Sequence, residues 1–108
     1  GKDAEFFTLG SLSMAVNRSI ITMRSWIKKG YIPASPYRLP TKPDKNGEDH
    51  MGRRLYTRPM IEAVVEIFAQ HGILDTDRVE WSQHRTLGSE ISEAWAKIRA
   101  EELKTNNN

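Results

Sequence analysis

Between Arg18 and Lys28 the chain places cationic and hydroxyl side chains at a spacing that suits a polyanion. If Ser19 caps a helix that starts at Ile20, then Ile20, Met23, Trp26 and Ile27 recur at steps of three and four and form one apolar stripe. Arg18, Ile21, Thr22, Arg24, Ser25 and Lys28 then lie on or beside the exposed side. That side holds what a DNA major groove requires. The planar guanidinium of Arg24 matches the two acceptors of guanine, Thr22 and Ser25 can bond a phosphate or a base edge, and Ile21 can meet a thymine methyl. Ser19, at the helix start, and Lys28 suit backbone phosphates. An amphipathic helix with its polar side in water has the same pattern, and periodicity alone does not separate the two.

A second cationic group lies further on. Arg38 precedes, and Arg53 and Arg54 follow, a polar stretch punctuated by Pro40, Pro43, Gly47 and Gly52. Short extended pieces around Tyr37–Leu39 and Arg53–Tyr56 read as a β-hairpin with a long tip, Thr41–Met51. Arginines on such a hairpin can approach a narrow minor groove or its phosphates. Because strand neighbours point to opposite faces, at most one of Arg53 and Arg54 is expected to face the ligand, and Arg54 is favoured. As ordinary surface residues the same arginines would simply confer solubility.

Charge is segregated along the chain. Residues 18–58 hold ten basic and three acidic residues, a net of +7, whereas residues 59–108 hold five basic and nine acidic, a net of −4. A total of +2 conceals this division. A basic segment beside an acidic one is the electrostatic footprint of a nucleic-acid binder.

Enzymatic chemistry has little to build on. His50, His71 and His84 are the only histidines, no two share a helical turn, and cysteine is absent. His71 and Asp75 are separated by Gly72, which should end the helix between them, so neither a metal site nor a cofactor is expected. Glu62 and Glu66 read as a solvated helix face. No phosphate loop or nucleophile elbow is present. With 108 residues, 38% of them hydrophobic, no membrane-length apolar run and no signal-peptide pattern, the expectation is one soluble, cytoplasmic domain.

The elements that must position these residues are mainly helical. Thr8 can cap a first helix carrying Leu9, Leu12, Ala15 and Val16, and Asn17 and Arg18 break it. Gly30 and Pro33 close the second helix. Thr57 and Pro59 open a third, with Ile61, Val64, Val65 and Phe68 on its apolar face, and Gly72 stops it after His71. Ile73–Gln83 reads as irregular or a short helix. From about Ser89 a last helix carries Ile91, Ala94, Trp95, Ile98 and Leu103. Phe6 and Phe7 can pin the lead-in to a core.

The run Arg18-Ser19-Ile20-Ile21-Thr22-Met23-Arg24-Ser25-Trp26-Ile27-Lys28-Lys29-Gly30-Tyr31-Ile32-Pro33-Ala34 resembles the recognition segment of the excisionase and MerR-type winged-helix families. Arg53-Arg54-Leu55-Tyr56-Thr57 resembles the return strand of their wing, and Thr8-Leu9-Gly10-Ser11-Leu12 the opening of their first helix. The resemblance covers about residues 6–72. It implies a mainly α fold with a small β-hairpin wing, a winged helix-turn-helix, in which Thr22, Arg24 and Lys28 face double-stranded DNA and Arg54 lies on the wing. By the same resemblance Trp26 supports the second helix against the hairpin. The chain departs from the pattern in its long hairpin tip and at Ile21, where a polar residue is frequent. Beyond residue 72 it matches neither a MerR dimerisation helix nor an effector domain, so effector-sensing activation is not expected.

The organisation that follows is a lead-in (residues 1–5), a DNA-binding domain (6–72), a helical extension (73–104) and a tail (105–108). Site-selective DNA binding is the expected function, as an architectural factor beside a recombinase or as a transcriptional regulator. Recognition of a packaging site by a small viral terminase subunit is an alternative. Another is a protein–protein module acting through Ile91, Trp95 and Ile98, with a homodimer or another protein as partner. The same stripe can instead pack on its own domain.

Overall fold

The structure, a computed structural model, describes residues 5–38 and 53–106. Residues 1–4 of the lead-in, Leu39, the hairpin tip 41–51 with His50, and residues 107–108 of the tail lie outside the described residues. The chain runs β1 (Phe6–Phe7), α1 (Leu9–Ala15), α2 (Ile20–Lys28), β2 (Tyr37–Arg38), β3 (Arg54–Thr57), α3 (Arg58–Gln70), a single 3-10 turn (Trp81–Gln83) and α4 (Leu87–Asn106). It is mainly helical, with a small three-stranded antiparallel sheet in the order β1-β3-β2.

Local chemistry sets most of these boundaries. Ser19 Oγ accepts from the backbone N–H of Thr22 at 3.1 Å and so caps α2. Asn17 takes the left-handed conformation, φ 58°, that turns α1 into α2, a geometry asparagine tolerates better than most residues. Gly30, at φ 85°, ends α2, and Gly72, at φ 72°, ends α3. Thr57 Oγ1 accepts from Met60 N at 3.4 Å to open α3. β2 and β3 pair with Tyr37 opposite Leu55 and Arg38 opposite Arg54, forming the base of the expected hairpin. β1 was not expected as a strand. Phe6 pairs with Thr57 and Phe7 with Tyr56, and two residues are too few for an alternating pattern to announce them.

One core joins all the helices. Leu12, Val16, Met23, Ile32, Tyr56, Met60, Val64, Phe68, Ile73, Leu87, Ile91 and Trp95 are buried together. α4 starts two residues before the expected Ser89 and continues to Asn106. Leu87, Ile91 and Trp95 recur every four residues and cover α3 and β3. Trp95 Nε1 donates to the Met60 carbonyl at 3.1 Å, and its ring meets Tyr56 edge-on with centroids 6.0 Å apart. The expectation that Ile91 and Trp95 greet a partner is therefore corrected. Both are buried in the core of their own chain, and Ile98 is half-buried against it, because α4 packs along α3 and covers the part of its apolar side that α1, α2 and β3 leave open. Leu103 and Ile20, assigned to apolar stripes by periodicity, are exposed.

The start of α4 lies hard against the chain leaving α2. A Cβ built on Gly88 would sit 2.9 Å from the carbonyl oxygen of Tyr31, a backbone atom with no freedom to yield. Gly88→Ala would add about 1 kcal/mol of helix propensity, but overpacking against rigid neighbours costs about 1–3 kcal/mol. A net loss of about 1 kcal/mol is expected in urea denaturation. A midpoint raised above wild type would show that α4 is free to move away.

Candidate nucleic-acid interface

α2 buries Met23 and half-buries Trp26 and Ile27, which leaves Ile21, Arg24 and Lys28 outward at helical spacing. Ile21 is 75% exposed, beside Arg24 on the outward side of the helix. Ser25 and Thr22 are half-buried at the margins. Ser19 Oγ, besides capping the helix, donates to Thr22 Oγ1 at 2.9 Å. The hydroxyl proton of Thr22 is thereby left over for another acceptor.

α2 and the start of β3 together line a groove of about 480 Å³. Arg24 and Lys28 come from α2, Arg53 and Arg54 from the β3 side, and Thr8, Leu9 and Gly10 from the start of α1. No acidic residue is among the described residues lining it. Arg53 and Arg54 both line the groove, contrary to the expectation that alternation separates them. The reason is that Arg53 lies one residue ahead of the strand, where alternation does not yet apply. Arg54 is steadied by donation from Nη1 to the Ser35 carbonyl at 2.7 Å. Ser35, fully buried, donates in turn to the Leu55 carbonyl and accepts from Tyr37 N, which fastens the two sides of the hairpin base. Arg38 is half-buried on β2, opposite Arg54. The hydroxyl of Tyr56, another residue lining the groove, has no hydrogen-bond partner among the described residues. Burial pushes the Tyr56 phenol up, with Arg54 opposing that shift.

Arg18 does not join this face. Its Nη2 donates to the Ile73 carbonyl at 2.7 Å, and its Nη1 lies 3.2 Å from the carbonyls of Leu74 and Val16. The guanidinium also lies over the Trp26 ring, 5.5 Å from its centroid. A fork of donors is being used to satisfy loop carbonyls, so Arg18 joins the α1–α2 turn to the segment after α3. Trp26 likewise departs from the role the resemblance implies. Its ring partners are Phe68 of α3 and Trp81 of the α3–α4 connector, with centroids 6.2 Å and 5.0 Å away. Trp81 in turn stacks on Tyr31 with centroids 4.5 Å apart and planes 15° from parallel. The connector therefore braces α2 on the side away from the groove.

A polar cluster that sequence reasoning missed lies at the base of this brace. His71 Nε2 is 2.7 Å from Glu90 Oε2, and His71 Nδ1 is 2.9 Å from His84 Nδ1. Thr86 Oγ1 donates to the same Glu90 oxygen at 2.9 Å. The residues come from the end of α3, the connector and the first turn of α4, and no spacing in sequence links them. Among the described residues no group of three or more His, Asp or Glu is arranged to hold a metal ion. No helix among them is long and apolar enough to cross a membrane.

No family model matches the chain, and no curated protein or solved structure is significantly similar to it.

Hydrogen bonds from His71 and Thr86 hold the Glu90 carboxyl below its ordinary value of 4.5. A carboxyl depressed by folding stabilises the fold above the unfolded value, and that contribution is lost as pH falls through the folded value. The stability difference between wild type and Glu90→Gln should therefore be full at about pH 6 and shrink below about pH 4.5. Urea midpoints measured across that range test it. A difference that grows toward acid would reverse the sign.

Proposed function

We propose that the chain binds double-stranded DNA as a winged helix-turn-helix. In this reading α1 and α2 form the helix-turn-helix and the β2–β3 hairpin forms the wing. The observation that carries it is the groove in which Arg24, Lys28, Arg53 and Arg54 converge, with no carboxylate among the described residues that line it. Bringing four cations together costs Coulomb energy in the free protein, and a phosphate backbone relieves it while releasing counterions.

α2 enters the major groove by its exposed stripe. Arg24 pairs with a guanine edge, Ile21 rests on a thymine methyl, and Lys28 holds a phosphate. Arg53 and Arg54 approach the adjoining backbone or minor groove, and Thr22 and Ser25 add hydroxyl contacts at the margin. Ser19 keeps its capping role and can add a phosphate contact. Within this reading an architectural role of the excisionase kind is favoured over effector-sensing regulation. The support is α4, which spends Leu87, Ile91 and Trp95 on its own core and keeps no comparable apolar stripe for a paired dimerisation helix.

Fluorescence anisotropy with a labelled random duplex, titrated with salt, tests the binding. Affinity should fall steeply with salt, and Arg24→Ala should weaken binding by about 1–3 kcal/mol, roughly 5- to 150-fold, on a selected site. Absence of binding at low salt would overturn the proposal. The contact of Ile21 is tested by replacing single thymines of the selected site with uracil, which removes only the methyl group. One position should lose about 0.8 kcal/mol, roughly fourfold, and Ile21→Ala should abolish that preference. Equal affinity for every uracil-substituted site would remove Ile21 from the base-reading face.

A further inference from the structure

The contact between His71 and His84 has a strict requirement for protons. Two ring nitrogens at 2.9 Å form a hydrogen bond only when one hydrogen lies between them. With none, two lone pairs face each other. With two, opposed N–H groups on two cationic rings collide. The other nitrogen of His71, Nε2, lies 2.7 Å from an oxygen of Glu90. An ionised carboxylate only accepts, so Nε2 carries a hydrogen. The His71 ring can then be neutral, accepting at Nδ1 from His84, or cationic, donating to a neutral His84. Either state keeps the contact.

We infer that His71 and His84 form a latch that stays closed while the pair carries at most one positive charge and opens when both rings are charged. What the latch holds is the brace behind α2. His84 N donates to the Trp81 carbonyl at 3.0 Å, within the 3-10 turn that presents Trp81 to Tyr31 and Trp26. When opening displaces the His84 backbone together with its ring, this turn loosens, and the stacking of Trp81 on Tyr31 goes with it. The device holds whatever α2 contacts.

The charged and titratable neighbours fit this reading. The carboxylate of Glu90 on α4 lies 2.7 Å from His71 Nε2. That carboxyl, held below the ordinary carboxylate range, stays ionised while imidazoles titrate. His84 lines a cleft with Arg85 beside it in the connector, Glu93 of α4 opposite, and Tyr31 from the segment after α2. The reason for opening is the pair of opposed N–H groups at the ring contact itself.

The test follows ring protonation and ring packing together in the full chain. Nitrogen-15 spectra of the histidine rings report each protonation step, and near-ultraviolet circular dichroism reports the Tyr31–Trp81 stack. As pH is lowered from about 8 to about 5, across the range in which histidine side chains ordinarily titrate, the first step should leave the aromatic signal unchanged. The second should remove the part of it that Tyr31→Phe also removes, while far-ultraviolet helicity is retained. His84→Asn places an amide nitrogen near the position of Nδ1, able to donate to His71 but unable to take a proton. It should lose the acid-induced aromatic change. Both rings reaching the doubly protonated state with the aromatic signal intact would overturn the latch, and this wild-type result requires no variant. A transition unchanged in His84→Asn would overturn it as well.

Discussion

The burial of Leu87, Ile91 and Trp95 against α3 and β3 is the interaction on which the remaining geometry depends. A chain of 108 residues has room for one core, and α4 packs on α3 more extensively than any other element does. Each of these side chains contributes about 1.5–3 kcal/mol by burial, comparable with a large fraction of the net stability of a small domain. The indole hydrogen bond from Trp95 to the Met60 carbonyl adds direction to this packing. It sets the rotation of α4 over the first turn of α3, next to Tyr56 on β3. The sheet and the helices are thus referenced to the same point.

From that point the connector between α3 and α4 has a fixed span, and it is spent on α2. Arg18 takes the carbonyls that follow α3, and Trp81 lies between Tyr31 and the ring of Trp26. His71 and Glu90 join the two ends of the connector. α2 is consequently held from behind by groups far apart in sequence, while Met23 holds it to the core. A helix of nine residues is short for independent stability, so its exposed stripe is presented rigidly only because these contacts supply what propensity does not.

The electrostatic arrangement has the same origin. The acidic half of the chain is occupied in α3, the connector and α4. The groove receives cations from α2 and the β3 side and, among the described residues, no carboxylate. Clustered cations of this kind are stable only if their stems and backbones are otherwise satisfied. Arg54 shows how, since its guanidinium is fastened to the Ser35 carbonyl while its charge still faces the groove. The side of the molecule carrying the brace and the side carrying the groove are separated by the thickness of α2.

What the sequence determined by itself is local. Ser19, Gly30, Thr57 and Gly72 marked helix ends because capping and left-handed turns depend on single residues and their immediate neighbours. The exposed stripe Ile21, Arg24 and Lys28 followed from the period of α2, and the hairpin base from short extended runs flanked by proline and glycine. Tertiary structure alone decided the rest. β1 is too short to show a period, and Arg53 and Arg54 share a groove because the strand begins between them. Arg18 carries the same charge as Arg24, yet its guanidinium is drawn away by carbonyls more than fifty residues along the chain. Ile91 and Trp95 formed a stripe whose periodicity could not say what covers it. His71, His84 and Glu90 meet only because α4 folds back on α3, and a contact made by chain reversal leaves no spacing to read.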